Sequence, residues 1–232
     1  MKKIFLTGAT GYVGKAIIER FKKSYDIKAF TRSLGDIRNF QEVLKASEGS
    51  DIIIHMAAIT PTAHPGAADQ DVMEVNVEGT RNILDAAVKN KIKKVINFSS
   101  VCAVGVWPEN YPIKEDAVCN PTLGAYGLSK LKGEELCREY SEKQGLDIIC
   151  LRPAVVFPQH AFNPQVVDSV AWNIFVHIED LLLMLKLALE DQKIKFGIYH
   201  IAPDNKYSAF DISLAKKELG YRPAYGFEKF IR

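Results

Sequence analysis

Long apolar runs are missing from this 232-residue chain. The longest, Leu181 to Leu189, is interrupted by Lys186 and falls well short of the roughly 20 residues a membrane-spanning helix needs. It reads as a buried helix face, and no membrane association is expected. Met1-Lys2-Lys3 before Ile4-Phe5-Leu6 has the outline of a signal peptide, but Gly8-Ala9-Thr10-Gly11 ends the apolar stretch too early. Cysteine is scarce as well. Cys102, Cys119, Cys137 and Cys150 are dispersed without a Cys-x-x-Cys spacing, which argues against a zinc site or disulfide framework. Reduced thiols of a cytoplasmic protein and no metal site are the expectation. Charge of one sign is not in excess: 30 Lys and Arg against 28 Asp and Glu leave +2, with the signs interspersed. That excludes a basic footprint for nucleic acid. There is no internal repeat and no low-complexity linker.

What is present is ordinary globular composition, 47% apolar and 25% charged. The length suits one substantial core, so residues 1–232 are expected to form a single domain. Short apolar strands alternate with amphipathic segments. Lys3–Leu6, Tyr25–Phe30, Asp51–His55, Lys94–Phe98 and Asp147–Leu151 read as strands. The intervening segments, including Phe40–Ala46, Asp71–Val88 and one beginning near Tyr126, read as helices. Alternation of this kind implies an α/β fold: a Rossmann-like, doubly wound parallel sheet with helices on both faces. Continuous apolar strands fit a sheet covered on both sides. After Pro158 the pattern becomes irregular. Glu179–Glu190 and Ile212–Leu219 read as helices and Gly197–Ile201 as a short strand, and residues 158–232 are expected to contribute a small substrate-binding cap.

The first strand runs directly into Thr7-Gly8-Ala9-Thr10-Gly11-Tyr12-Val13-Gly14, and a helical pattern follows with Val13, Ile17, Ile18 and Phe21 on one face. Strand, glycine-rich turn, helix is the context of a dinucleotide fingerprint. Gly8 permits the tight turn, Gly11 lets backbone approach a pyrophosphate, and Gly14 lets helix pack on strand; the helix N-terminus offers unpaired N–H groups to the phosphates. The second strand ends in Thr31-Arg32-Ser33, without the acidic residue that would bind the ribose hydroxyls of NAD. Arg32 can instead pair with a 2′-phosphate, which tips the balance slightly to NADP over NAD, although a solvated surface arginine explains it nearly as well. His55 ends a buried strand, where a hydrogen-bonded core histidine is commoner than a catalytic one. Gly79, mid-helix, costs about 1 kcal/mol and implies close packing.

Tyr126-Gly127-Leu128-Ser129-Lys130 places a phenol and an ammonium one helical turn apart. An ammonium beside a phenol favours the phenolate, and a depression of roughly three units corresponds to about 4 kcal/mol. Such a group exchanges protons near neutral pH, as carbonyl and alcohol chemistry requires.

Together these residues resemble the extended short-chain dehydrogenase/reductases, the NAD-dependent epimerase/dehydratase group, over nearly the whole chain. Thr7–Gly14 is similar to the nucleotide loop of that family, placing Gly8, Thr10, Gly11, Tyr12 and Val13 at the cofactor. Gly35-Asp36-Ile37 resembles the segment whose Asp approaches the adenine. His55-Met56-Ala57-Ala58 and Asn76-Val77-Glu78-Gly79-Thr80 resemble two further signatures, implying cofactor contacts for Met56, Ala57, Ala58 and Asn76. Arg152-Pro153-Ala154-Val155-Val156-Phe157-Pro158 resembles the segment beside the nicotinamide, implying contacts for Pro153 and Val156. The resemblance implies Tyr126 as acid/base, Ser100 as hydrogen-bond donor to the reacting oxygen, and Lys130 as holder of the nicotinamide ribose that also lowers the Tyr126 pKa. Val176–Asp180 and Leu219–Pro223 resemble landmarks of the C-terminal part.

Three departures narrow the expectation. The strand expected between Arg32 and Asp36 is nearly deleted. Val101-Cys102 follows Ser100 where sugar-nucleotide 4,6-dehydratases carry an acidic pair, so dehydration is not expected. The segment from Pro158 to Trp172 is short, and Gln159 to Asn173 offers only His160 as a basic group for a nucleotide diphosphate. The reading is therefore an NAD(P)-dependent oxidoreductase acting on a small hydroxyl/carbonyl substrate such as a sugar, sugar acid or aldehyde. A sugar epimerase is the alternative, and a dinucleotide-binding redox sensor without turnover the second alternative. The resemblance also implies a homodimer.

Overall fold

The computed structural model describes residues 1–157 and 173–226. The stretch from Pro158 to Trp172, including His160, lies outside the described residues. Six parallel strands form the main sheet in the order β2-β1-β3-β4-β5-β8. These are β1 Lys3–Thr7, β2 Asp26–Phe30, β3 Ile52–His55, β4 Lys94–Phe98, β5 Asp147–Pro153 and β8 Phe196–Ile201. The flanking helices are α1 Tyr12–Phe21, α2 Phe40–Ser47, α3 Asp69–Met73, α4 Gly79–Lys89, α5 Ala125–Gln144, α6 Ile178–Glu190 and α7 Ser213–Leu219. A separate parallel pair, β6 Val155–Phe157 and β7 Phe175–His177, lies beyond β5.

Two-residue periodicity in the strands builds the two cores. Ile4, Leu6, Ile52, Ile54, Ile96, Ile149 and Leu151 share one core with α1, α6 and α7. Phe5, Ile53, Val95, Ile148 and Cys150 share the other with α2, α4 and α5. Side chains alternate across a strand, and here both faces are buried, which explains why the strands read as unbroken apolar runs.

The sequence reading holds for the strand–helix order and for the deleted strand, and is adjusted at two further places. No strand lies between Phe30 and Asp36, so β2 is the sheet edge and the nearly deleted strand is not replaced there. The strand near Gly197–Ile201, expected in the cap, is β8 and pairs with β5 from Phe196 to Ile201. The sheet thus reaches into the stretch assigned to the cap, because the exposed edge of β5 demands hydrogen-bonding partners. The single helix expected over Asp71–Val88 is interrupted by a π turn over Glu74–Glu78 between α3 and α4. Gly79 lies just after it, and a Cβ there would sit 3.0 Å from Ile37 Cγ2, the close packing its composition implied.

Because all six strands are parallel, Thr7, Phe30, His55, Phe98 and Pro153 end at one edge of the sheet. In open α/β sheets this carboxyl edge is where ligands bind.

Candidate active site

The glycine loop follows β1 at this edge. Gly8 has φ +74°, and a Cβ there would meet the Met56 carbonyl carbon at 2.8 Å and the Ala57 nitrogen at 2.9 Å. A Cβ on Gly14 would fall 2.5 Å from the Gly8 oxygen, so α1 can lie against the loop only without a side chain there. Gly11 differs. Its nearest neighbour would be 3.6 Å away, which leaves its outer face open to a ligand. Gly11 also begins α1 without a side-chain cap, and a helix N-terminus favours an anion.

Thr7 locks this loop to the next strand. Its hydroxyl oxygen accepts the Met56 and Ala57 N–H groups, both at 3.1 Å, and its proton goes to His55 Nδ1 at 2.8 Å. The His55 Nε2–H then donates to Thr80 Oγ1 at 3.1 Å, and Thr80 donates to the Asn76 carbonyl at 2.6 Å. These partners define one neutral tautomer. Burial and the neighbouring Lys130 charge depress the imidazole to about 3. His55 is a structural link, as its place at a buried strand end suggested.

A cleft of about 240 Å³ opens beside the loop. Gly8, Thr10, Arg32, Asp36, Ile37, Ala57 and Ala58 all line it, so seven of the expected cofactor residues converge on one cavity. Asp36 faces it with both oxygens engaged by Arg38: Nη2 at 2.6 Å and Nε at 3.1 Å, with the Arg38 N–H at 2.9 Å. That arginine holds the Asp36 carboxyl below its ordinary range. Arg38 and His64 also line the cleft, and neither was singled out in the sequence. Arg38 stands two residues after Asp36 beside a surface turn, where arginine is unremarkable, so no sequence signal marked it.

Gly11, Tyr12, Val13, Met56, Asn76, Tyr126, Lys130, Pro153 and Val156 are not among the lining residues of this cleft. Asn76 sits in the π turn and is buried. Its Oδ1 accepts the Ile59 N–H at 2.7 Å, while Nδ2 donates to the Ile59 carbonyl at 3.0 Å and to Ser129 Oγ at 2.9 Å. Ser129 in turn donates to the Tyr126 carbonyl at 2.7 Å. Asn76 therefore ties the segment after Ala58 to the helix carrying Tyr126. Pro153 ends β5, and Val156 pairs with Val176 in the small sheet beyond it.

Ser100, Tyr126 and Lys130 do converge. Ser100 is extended, with φ −162° and ψ 152°, and its Oγ accepts the Cys102 N–H at 3.2 Å. The Ser100 side chain faces the Tyr126 phenol closely enough to lower its pKa. Gly127 admits this arrangement: a Cβ there would strike the Thr122 carbonyl oxygen at 2.0 Å. Lys130 Nζ donates to the Phe98 carbonyl at 2.9 Å and lies 5.8 Å from the Tyr126 ring centroid.

The protonation balance is opposite to the one expected from the spacing. Burial pushes the Tyr126 phenol up to about 12, with the Ser100 side chain offsetting only part of the shift. Burial also brings Lys130 down to about 8, against the pull of Glu134. The assumption of a strongly depressed Tyr126 pKa neglected desolvation, which penalises both charged forms in the same site. Among the described residues no group of three or more His, Cys, Asp or Glu side chains could hold a metal ion, and no helix is long and apolar enough to cross a membrane.

Open space over Gly11, an uncapped α1 and a cleft beside Ala57 and Ala58 fit a nicotinamide dinucleotide, with the Ser100–Tyr126–Lys130 group at the far end of the same sheet edge. Comparison with known proteins agrees. Residues 4–180 match the NAD dependent epimerase/dehydratase family. The L-arabinose 1-dehydrogenase (NAD(P)(+)) of Haloferax volcanii is 31% identical over 172 residues, covering 66% of this chain and 66% of that protein. The uronate dehydrogenase of Pseudomonas putida is 28% identical over 242 aligned positions, covering 98% of this chain and 86% of that protein. The crystal structure of a glucuronic acid dehydrogenase from Chromohalobacter salexigens superposes with a TM-score of 0.85 at 22% identity, covering 99% of this chain and 86% of that one, a likeness of fold. The chain belongs to the NAD-dependent epimerase/dehydratase family.

Proposed function

We propose that the protein is an NAD(P)-dependent dehydrogenase of a small sugar or sugar acid, moving a hydride between the nicotinamide and a hydroxyl or carbonyl carbon. The observation that carries this reading is the Ser100–Tyr126–Lys130 group on the same sheet edge as the glycine loop and its cleft. The arabinose and uronate dehydrogenases, similar over most of their lengths, support the substrate class.

The dinucleotide, when bound, supplies the hydride donor or acceptor. Gly8, Thr10 and Gly11, with the N-terminus of α1, would hold its phosphates. Asp36, Ile37, Ala57 and Ala58 would flank the adenosine, and Lys130 would hold the nicotinamide ribose. Tyr126 gives its proton to the carbonyl oxygen in reduction or takes one from the hydroxyl in oxidation, while Ser100 donates to that oxygen. A phenol near 12 is a protonated donor at neutral pH, and proton removal in the oxidative direction becomes easier as pH rises. Val101 and Cys102 occupy the turn after β4. Neither supplies the carboxyl acid that elimination of water would use.

Arg32 lines the adenosine cleft without an acidic residue at the end of β2, which supports NADP over NAD. The proposal includes a cytoplasmic homodimer, resting on the family alone. The test is incubation of the protein with uronic acids and aldoses, plus NAD or NADP, following reduced cofactor at 340 nm. Net cofactor reduction with at least one sugar is expected. An epimerised sugar without net reduction overturns the dehydrogenase reading in favour of an epimerase. Binding of cofactor with neither outcome overturns it in favour of a sensor.

A further inference from the structure

Three consecutive residues at the end of β4 each engage one turn of α5. The Ser100 side chain faces Tyr126 and lowers its pKa, and the Phe98 carbonyl accepts from Lys130 Nζ at 2.9 Å. Ser99 Oγ donates to Glu134 Oε1 at 2.5 Å. Tyr126, Lys130 and Glu134 stand at successive four-residue intervals and share one helix face. The third rung is the most deeply tied. Arg152 on β5 donates to Glu134 through Nε and Nη2, each at 2.7 Å, and both side chains are almost fully buried, at 2% and 3% exposure. Arg152 is itself steadied by the Glu115 carbonyl at 3.1 Å.

The surroundings of Lys130 make this carboxylate matter. From α5 itself come Glu134, Cys137 and the Tyr126 ring. From β3 comes His55, held neutral between Thr7 and Thr80. Cys102 approaches from the turn after β4, and Cys150 of β5 pairs with Cys137. Arg152 stands behind Glu134. Among these described groups Glu134 carries the one formal negative charge, and a buried ammonium without an anion loses its proton readily.

We infer that Glu134 is a positioning residue of the reaction: clamped by Arg152 and Ser99 one turn beyond Lys130, its carboxylate is the anion set against that ammonium and holds α5 in register against the end of β4. This rests on the dehydrogenase reading only for its catalytic consequence. Burial already brings Lys130 down to about 8, so the loss of its anion removes the charge within the working pH range.

The test reads Lys130 directly. In the full-length protein with [15N]lysine, the Nζ resonance, assigned with Lys130→Arg, is followed against pH in wild type, Glu134→Gln, Glu134→Gln/Arg152→Met and Ser99→Ala. The double variant guards against misfolding, because Glu134→Gln alone strands a buried guanidinium. The Lys130 midpoint is expected to fall by about one unit or more in the single variant and by less in the double, with Ser99→Ala close to wild type. A folded double variant with an unmoved midpoint overturns the inference. Turnover is then measured on the same samples. If the dehydrogenase reading holds, the alkaline fall of carbonyl reduction follows the Lys130 midpoint while the KM for sugar stays. If no sugar is turned over, the titration still decides the role of Glu134 and only the dehydrogenase reading fails.

Discussion

The two ends of the proposed cofactor groove manage charge in opposite ways. At the adenosine end Asp36 and Arg38 form an ion pair with 38% and 37% of their side chains exposed, and Arg32 stands beside them over the cleft. At the reaction end Ser99, Ser100, Glu134 and Arg152 are all buried, and Lys130 donates to a backbone carbonyl. Water can replace a lost partner at the first end, so a substitution there alters affinity with little cost in stability. At the second end a lost partner leaves a buried group unsatisfied, and the same kind of change reaches both stability and chemistry. Cofactor preference can therefore drift while the reaction machinery stays locked.

The largest effect expected is from Tyr126→Phe. Without its acid/base, turnover should fall by about 10³-fold while calorimetry still shows dinucleotide binding, since proton transfer by a positioned group contributes typically 10²–10⁴. Turnover within tenfold of wild type would erase the distinction between the two ends. Gly127→Ala comes next. A methyl group 2.0 Å from the Thr122 oxygen must push the 122–124 segment away, costing about 1–3 kcal/mol in denaturant unfolding. The matching change at the open end, Gly11→Ala, meets nothing closer than 3.6 Å and should leave stability nearly unchanged while weakening dinucleotide binding.

Acid sharpens the comparison further. His55 and His200 are buried and depressed to about 3, the first by burial and Lys130, the second by burial and Arg152. A histidine whose folded pKa lies below its unfolded value gives its full stability above about pH 6.5 and loses it as pH falls towards 3. Each should remove about 1.4 kcal/mol per unit below that point, read as the denaturant midpoint between pH 7.5 and 5.5. His55→Gln should flatten that slope. The smallest effect is Arg32→Ala: NADP affinity lower by about tenfold, NAD affinity and melting temperature unchanged. Equal weakening of both cofactors would remove Arg32 from the 2′-phosphate.

Much of the proposed cofactor cleft was legible because it is encoded locally. Gly8 and Thr10 lie in the glycine turn directly after one apolar strand, Ala57-Ala58 follow another, and Asp36-Ile37 were marked by the resemblance. Tyr126 and Lys130 were legible for the same reason, four residues apart on one helix. Arg38 and Glu134 were not. Arg38 has its partner two residues away, in a surface turn where an arginine carries no distinguishing signal, and Glu134 has its role through Arg152, which only folding brings near across 18 residues.

The sequence by itself determined the alternation of strands and helices, the glycine turn and the Tyr126–Lys130 face, since periodicity and backbone freedom are short-range properties. Tertiary structure decided that Phe196–Ile201 completes the sheet, that a π turn carries Asn76 to Ile59 and Ser129, and that burial raises the Tyr126 phenol. These depend on strand edges, packing and desolvation, and burial from water is a quantity that no stretch of sequence carries alone.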